Sequence, residues 1–300
     1  MGSALRIDSL PGVVAKPLCE EFGVDVEGFQ LDELADRRND VQIDWIRKQL
    51  DTQLLLRFRG QKLTQEQLMR FVGYFGKLAP LRTQGSSHKI AEGIKLITNE
   101  RDPTGKAVGD PAPYELGWHT DGSYMRTPTA YTALYCITAP KIDATKTYWM
   151  NLETTFRRLP DENKRALAAM KMLHYHPKNP TRYAPEDAPM VGACRAIEQP
   201  VVRKIQGTGK VTLFLPSTPD SPLVVDGERW SQERSAEFIA GLYEQGERLG
   251  EIWQTALADN DLVFWDNRVM AHKRDNVAPD LNRVLWHSAV SGEEPIAFVA

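Results

Sequence analysis

A succession of short, strand-like segments through the last two thirds of the chain constrains the fold more than any other feature of the sequence. These segments are rich in β-branched and aromatic residues, and turn-forming residues separate them. Many short strands in one chain are typical of a β-sandwich or barrel. The predicted strands are Ile94 to Thr98, Ala130 to Thr138, Thr147 to Asn151, Gln199 to Ile205, Lys210 to Leu215, Ile252 to Leu257, Leu262 to Trp265 and Arg283 to Val290.

Helices are predicted as additions to this β-rich core. Apolar residues recur at helical spacing from Val41 to Gln53. Thr64 stands three residues before Gln67 in a capping-box arrangement, which predicts a helix that continues to Phe75. The remaining predicted helical segments are an insert near residues 151–170 and an amphipathic stretch from Gln232 to Leu249.

The segment from Pro177 to Pro200 is rich in Pro, Asp, Arg and Gly and shows neither helical nor strand periodicity. We therefore predict a long loop there, and loops of that length in compact domains are often lids or binding loops. No segment separates two groups of strands as a linker would. The sequence thus predicts one domain over residues 1–300, mainly β with helical additions, built as a double-stranded β-helix, the cupin-like jelly roll.

Composition and charge exclude several classes of protein. With 42% hydrophobic and 26% charged residues, the 300-residue chain falls in the range of soluble globular proteins. Its formal charge of −3 is spread without single-sign blocks, so neither nucleic acid nor a membrane surface is an expected partner. Neither a membrane span nor a signal peptide is predicted. We expect a cytoplasmic protein that acts on a small molecule, and self-association into a homo-oligomer stays open.

The three cysteines limit the kind of metal site that the chain could form. Cys19, Cys136 and Cys194 are odd in number and show no C-x-x-C spacing. Neither a disulfide framework nor a thiolate zinc site is therefore expected. A metal would have to use His and carboxylate ligands, which favours iron, manganese or zinc.

His119 and Asp121 stand two residues apart at a predicted strand start. Because alternate residues of a strand point to the same face, an imidazole and a carboxylate should converge there. With six histidines and 40 acidic residues in the chain, an H-x-D pair alone is weak evidence and could be a surface pair. His272, after the apolar strand that ends near Asp266, would complete a two-His, one-carboxylate set. Such a facial triad leaves three metal positions open, which suits a chelating co-substrate together with dioxygen.

Arg283 follows His272 by eleven residues, across a predicted hairpin turn at Ala278 to Asp280. It should therefore lie on the strand next to that of His272. A guanidinium in that position could hold a dicarboxylate by a bidentate pair while the other end of the same molecule chelates the metal. Considered alone, an arginine in this position is more often a surface charge than a ligand-binding residue.

Three segments of the chain match one known family in combination. They are LLLRFRGQKLTQEQLMRFVGYFGKL at Leu54 to Leu78, WHTDGSYMRTPTAYTALYC at Trp118 to Cys136, and VFWDNRVMAHKRDN at Val263 to Asn276 followed by Arg283. With these segments the chain resembles the taurine dioxygenase family of Fe(II)/2-oxoglutarate oxygenases over nearly its whole length. The resemblance implies that His119, Asp121 and His272 bind iron, and that Arg283 and Thr147 bind 2-oxoglutarate.

The resemblance also implies the reaction. An enzyme of this family uses Fe(II), 2-oxoglutarate and O2 to oxidise a C–H bond, most often by hydroxylation, and releases succinate and CO2. Two alternatives stay open from the residues alone, a non-catalytic jelly-roll binding protein and a metal-dependent hydrolase or isomerase. Neither alternative gives Arg283 a role.

Two further residues are candidates for substrate recognition. Glu115 lies four residues before His119, where the resemblance suggests substrate contact, and His287 shares a strand face with Arg283. Together they could recognise an amine or a hydrogen-bonding group, or they could be a solvated carboxylate and a core histidine. Sulfonate-binding members of the family carry a second arginine at the position of His287, which argues against a strong anion as substrate. His174 and His176 are predicted to lie on an edge strand rather than to bind metal.

Overall fold

A computed structural model describes residues 7–81, 90–109, 116–140, 145–176, 178–278 and 280–299. The helices in these ranges are α1 Leu31–Asp36, α2 Asp40–Gln53, α3 Gln65–Gly73, α4 Leu152–Arg158, α5 Asp161–Ala168 and α6 Gln232–Leu249. The strands are β1 Val14–Pro17, β2 Val24–Glu27, β3 Leu55–Phe58, β4 Lys95–Thr98, β5 Leu116–His119, β6 Thr129–Thr138, β7 Thr147–Asn151, β8 Lys171–Tyr175, β9 Met190–Val191, β10 Cys194–Pro200, β11 Val202–Lys204, β12 Val211–Leu213, β13 Leu223–Val225, β14 Glu228–Arg229, β15 Ile252–Thr255, β16 Leu262–Asp266, β17 Met270–Arg274, β18 Val284–Ser291 and β19 Ile296–Ala297.

Two sheets face each other and form the centre of the molecule. The larger sheet has the strand order β1-β2-β3-β16-β6-β18-β4, and the smaller one has the order β15-β7-β17-β5. Inward side chains of both sheets pack into one apolar interior, where the rings of Trp149 and Trp265 meet edge to face with centroids 5.8 Å apart. This interior is the one that holds the candidate site.

Both faces of the central strands β3, β6 and β16 of the larger sheet are buried, because successive side chains of a strand point to opposite faces and nearly all of theirs are buried. In β16, Leu262 and Phe264 point outward to the helices α1, α2 and α3, whereas Val263 and Trp265 point into the interior. The smaller sheet is covered in the same way, because Met150 packs outward with residues of α4 and α6. The helical additions therefore close the outer faces of a β core.

Most of the predicted helices are confirmed, with one difference at a helix end and one break within a predicted helix. The capping box at Thr64 is present, but α3 ends at Gly73, two residues before the predicted end. The predicted insert near 151–170 is two helices rather than one, because Pro160 stands between them and has no backbone N–H to continue the first. No helix in the described part of the chain combines the length and the apolar character that a membrane span requires.

The prediction of a long loop from Pro177 to Pro200 is wrong in its second half. Residues 190–191 and 194–200 form β9 and β10, and β10 pairs with β8 on its other edge. The prolines and charged residues around β10 hide its alternation, since only part of its inner face is apolar. Because β8 lies between β13 and β10, the prediction that His174 stands on an edge strand is also wrong.

Candidate active site

Two histidines meet across the strand pair β5 and β17. His119 is the last residue of β5 and lies directly opposite His272 in the antiparallel register. Their ring centroids are 4.1 Å apart, and Trp265 presents its ring edge-on to His272 at 5.0 Å. Residues opposite each other on paired strands have neighbouring Cβ atoms, so the pairing itself brings the two imidazoles together.

Asp121 reaches the same point from a turn and not from a strand. Since β5 ends at His119, the prediction that the H-x-D segment begins a strand is wrong, and the pleat does not align the two side chains. Gly122 follows with a φ of +65°, and a Cβ there would come within 2.4 Å of the Met125 side chain. The turn therefore requires glycine, and it brings Asp121 Oδ1 to 3.8 Å from His119 Nε2 and 3.9 Å from His272 Nε2.

The protonation of these groups suits a metal ion. His119 Nδ1 lies 2.8 Å from the Gly117 carbonyl oxygen, which can only accept, so Nδ1 carries the hydrogen and Nε2 offers its lone pair towards Asp121. Burial lowers the pKa of His119, and it lowers the pKa of His272 to about 3. Both rings are therefore neutral at pH 7 and able to act as ligands.

Asp121 completes the set as an ionised carboxylate. Burial alone would raise its pKa, but the neighbouring imidazoles, above all those of His272 and His287, hold the pKa well below its usual range. One ligand atom from each of His119, Asp121 and His272 lies within 4.8 Å of the other two. Two imidazole lone pairs and a carboxylate oxygen that converge in this way fit a divalent cation, with nitrogen and oxygen donors suited to iron.

The second oxygen of Asp121 is engaged on its other side. Asp121 Oδ2 accepts one hydrogen bond from His287 Nε2 at 3.1 Å and another from Thr132 Oγ1 at 3.2 Å. The structure thus puts His287, a predicted substrate contact, directly against Asp121. Thr132 was not predicted to belong to the site.

Asn267 fixes the backbone of the same turn. Its side chain accepts from the Asp121 backbone N–H at 2.9 Å and donates to the Asp121 and Thr129 carbonyls at 3.0 and 2.9 Å. Asn267 is 1% exposed, so these backbone groups have little access to water. The amide therefore ties the turn that carries Asp121 to the start of β6.

We expect Asn267→Ala to lower the free energy of unfolding by about 2 to 4 kcal/mol, because it leaves buried backbone donors and acceptors without partners at about 1 to 3 kcal/mol each. Urea unfolding followed by fluorescence measures the change. Asn276→Ala is the matched control, since Asn276 is exposed and its loss should change the free energy by less than about 0.5 kcal/mol. Equal stabilities of the two variants would contradict this account.

A cavity of about 380 Å³ opens beside these groups between the two sheets. Arg283 lines it and is 5% exposed, and among the described residues nothing accepts a hydrogen bond from its guanidinium or forms an ion pair with it. Burial, followed by repulsion from Arg274, lowers the pKa of Arg283 to about 9, so it remains a cation at neutral pH. A buried cation in this state is suited to bind an anion from outside the protein.

The path that brings Arg283 to the cavity differs from the predicted hairpin. Arg283 immediately precedes β18, and β18 pairs with β6 and β4 in the larger sheet, whereas His272 lies on β17 in the smaller one. The two residues therefore come from facing sheets, and the prediction that they share neighbouring strands is wrong. Thr147 also lines the cavity, opposite Arg274 in the pairing of β7 with β17.

The remaining residues considered in the sequence are Glu115, His174 and His176. Glu115 lies outside the described residues, although its neighbour Leu116 lines the cavity. His174 is not among the residues that line the cavity, and its ring packs against Phe214. His176, by contrast, lines the cavity and meets the ring of Tyr124 edge to face at 4.5 Å.

Sequence reasoning missed two lysines of the cavity, Lys95 and Lys178. Lys95 lies on β4 directly opposite His287, and its positive charge acts on the His119 ring. Alternation along β4 could have found it, because Ile97, two residues later, faces the same cavity. In the described residues four cationic side chains thus line the cavity, against the single carboxylate of Asp121.

Comparison with known proteins gives a consistent result. A family described as "Taurine catabolism dioxygenase TauD, TfdA family" matches residues 15–289. The alpha-ketoglutarate-dependent 2,4-dichlorophenoxyacetate dioxygenase of Cupriavidus pinatubonensis is 26% identical over 275 residues, which cover 87% of this chain and 91% of the relative. The (S)-phenoxypropionate/alpha-ketoglutarate-dioxygenase of Sphingobium herbicidovorans is 24% identical over 298 residues, which cover 94% and 96%.

Solved structures share the fold. A taurine dioxygenase from Burkholderia xenovorans superposes with a TM-score of 0.73 at 22% identity, over 96% of this chain and 92% of that one. This likeness, together with the two facing sheets, confirms the predicted mainly β jelly-roll architecture with helical additions.

Proposed function

We propose that this chain, which belongs to the TauD, TfdA family and is a 2-oxoglutarate-dependent non-haem iron dioxygenase, oxidises a C–H bond of a small organic anion. Like its family, it requires Fe(II), 2-oxoglutarate (alpha-ketoglutarate) and O2. Membership of the family sets aside the non-catalytic jelly roll and the hydrolase or isomerase as alternatives. The observation that carries the proposal is the convergence of the His119, Asp121 and His272 donor atoms beside a buried Arg283 whose guanidinium has no partner among the described residues.

In this proposal His119, Asp121 and His272 hold the iron, as the neutral imidazoles and the ionised carboxylate allow. Arg283 binds the distal carboxylate of 2-oxoglutarate, and the Thr147 hydroxyl donates to the same molecule. When bound, iron, 2-oxoglutarate and O2 supply the oxidising chemistry: 2-oxoglutarate loses CO2 and takes one oxygen atom to become succinate, and the other oxygen atom enters the substrate.

The chain's own residues orient the reactants. The hydrogen bond from His119 Nδ1 to Gly117 directs Nε2 towards the metal position. Arg283 gives the co-substrate a fixed direction, because a guanidinium binds a carboxylate through two parallel hydrogen bonds. Leu134, Leu285 and Trp265 form an apolar wall of the cavity, against which the carbon skeleton of a substrate can pack.

The charge of the cavity supports an anionic substrate. Besides Arg283 and Arg274, which lie at the end proposed for 2-oxoglutarate, Lys95 and Lys178 line the described part of the cavity, and their positive charges favour a second anion. The names of the two relatives also point to carboxylates that carry an aromatic ring. This proposal replaces the sequence-based expectation that Glu115 and His287 recognise an amine, because His287 is engaged with Asp121.

A substrate screen tests this proposal. Succinate formation under Fe(II) and 2-oxoglutarate is measured with a panel of arylacetic and aryloxyacetic acids, and with the uncharged amide of each acid as its partner. We expect an acid, and not its amide, to stimulate turnover. If the amides stimulate turnover and the acids do not, the proposal of an anionic substrate is contradicted.

Lys95→Met then identifies the residue that anchors the substrate. Losing a hydrogen bond to a charged group is worth about 1.5 to 3 kcal/mol, so the KM for the acid should rise by about 10- to 150-fold. The KM for 2-oxoglutarate should stay within about threefold of the wild-type value. A change in the 2-oxoglutarate KM alone would assign Lys95 to the co-substrate instead.

A further inference from the structure

The two carboxylate oxygens of Asp121 have different surroundings. Oδ1 faces the Nε2 atoms of His119 and His272. Oδ2 points away from them and accepts hydrogen bonds from His287 and Thr132. A carboxylate oxygen has two lone-pair directions, and the two donors together occupy both of those on Oδ2. Oδ2 therefore has little capacity left to bind a metal.

These two donors come from the larger sheet, which faces the sheet that leads into Asp121. Thr132 lies on β6 and His287 on β18, which are paired strands of the larger sheet, whereas Asp121 follows β5 of the smaller sheet. Thr132 is 0% exposed and His287 is 8% exposed. The hydrogen bonds therefore cross the interior from one sheet to the other. They hold the Asp121 side chain against two strands of the facing sheet.

Among the described residues, Asp121 is the one hydrogen-bond partner of the His287 ring. Its Nδ1 is buried and has no partner among them. Its Nε2 must donate, because an ionised carboxylate can only accept. The hydrogen bond with Asp121 is thus the contact that orients this ring.

We infer that His287 and Thr132 are positioning residues that restrict Asp121 to binding the metal through Oδ1 alone. A carboxylate that bound through both oxygens would take two of the six octahedral positions. One-oxygen binding keeps three positions open, the number that a chelating co-substrate and O2 require together. This inference rests on the proposed role of Asp121 as a metal ligand, and it gives His287 a role different from substrate recognition.

The test compares variants that remove each donor with variants that keep it. His287→Leu and Thr132→Val remove the donors with little change of volume, whereas His287→Gln and Thr132→Ser keep a hydrogen-bond donor. Mn(II) binding to each metal-free protein is measured by isothermal titration calorimetry without co-substrate. His174→Leu serves as the matched control, because it removes a fully buried imidazole outside the cavity lining.

We expect His287→Leu and Thr132→Val each to weaken Mn(II) binding by about 10- to 100-fold, as is typical when a partner that orients a metal ligand is lost. His287→Gln and Thr132→Ser should restore most of this affinity, and His174→Leu should bind like the wild type. The anaerobic Fe(II)–2-oxoglutarate charge-transfer absorption band should be altered in the Leu and Val variants and restored in the Gln and Ser variants.

Asp121→Ala separates this inference from the proposal on which it rests. If Asp121→Ala loses Mn(II) affinity while His287→Leu and Thr132→Val bind like the wild type, the positioning role is overturned and the metal site stands. If Asp121→Ala itself binds Mn(II) like the wild type, both are overturned. Thr132→Val keeps the test decisive should His287→Leu fail to fold, because it replaces one hydroxyl by a methyl group of similar size.

Discussion

His272→Ala is expected to abolish iron binding and turnover while the protein remains folded. The variant removes one of three ligand atoms that converge within 4.8 Å. Loss of a residue that only orients a ligand already costs about 10- to 100-fold in metal affinity, so the loss of a ligand should exceed 100-fold. The same result is expected for alanine at His119 and at Asp121. Fe(II) binding by calorimetry and succinate release measure the two effects.

A structural control distinguishes lost ligation from lost stability. His272→Ala also opens a small cavity beside Trp265, which would lower stability by about 2 to 5 kcal/mol if the cavity does not close. His174→Ala removes another buried imidazole whose two ring nitrogens have no partners among the described residues, and it should bind Fe(II) normally. Full turnover in a folded His272→Ala variant would overturn the assignment of the triad.

How much of the fold the sequence predicts depends on how regular each strand is. β7 was predicted with its observed bounds, Thr147–Asn151, and β16 to within one residue, because β-branched and aromatic residues are concentrated in both runs. β10 was missed because Pro189 precedes it, Pro200 ends it, and the charged Arg195 and Glu198 interrupt its apolar residues. Strand pairing could not be predicted from the sequence, since nothing in the residues of β18 indicates that it pairs with β6 rather than with β17.

In the candidate site, too, some features could be predicted from the sequence and others could not. The convergence of His119, Asp121 and His272 could be predicted, because their residue types are uncommon in a β core and match a known pattern. The route by which they converge was misread, since the turn at Gly122 and not a strand pleat directs Asp121. Thr132 could not be predicted, because an inward threonine on a buried strand looks like a packing residue until the sheets are assembled.

The largest effect on co-substrate binding is expected for Arg283→Ala. If Arg283 holds the distal carboxylate, its loss should weaken 2-oxoglutarate binding by about 2 to 5 kcal/mol, or about 30- to 5,000-fold, by analogy with other desolvated charge pairs. The apparent affinity for 2-oxoglutarate, measured by titration of the anaerobic iron-loaded protein, checks this expectation. Arg283→Lys keeps the charge but not the two parallel hydrogen bonds. Its affinity for 2-oxoglutarate should therefore lie between that of Arg283→Ala and that of the wild type.

The burial of Arg283 without a described partner predicts a second result, an effect on stability. A purely structural role of this residue would not predict it. Its guanidinium is buried, it lies near Arg274, and no described residue pairs with it. A buried charge without a partner opposes folding, so Arg283→Met should leave the stability without 2-oxoglutarate unchanged or increase it. In the wild type 2-oxoglutarate should raise the melting temperature, and in Arg283→Met this increase should be lost.

Lys95→Met is the matched control for both measurements, because it removes a cation from another part of the same cavity. It should keep the affinity for 2-oxoglutarate and the stabilisation that 2-oxoglutarate produces, so a general loss of positive charge would be excluded as the cause. If Arg283→Ala keeps its apparent affinity for 2-oxoglutarate, another cation holds the distal carboxylate. Arg274, which lines the same cavity and stands opposite Thr147, would then be the residue to replace next.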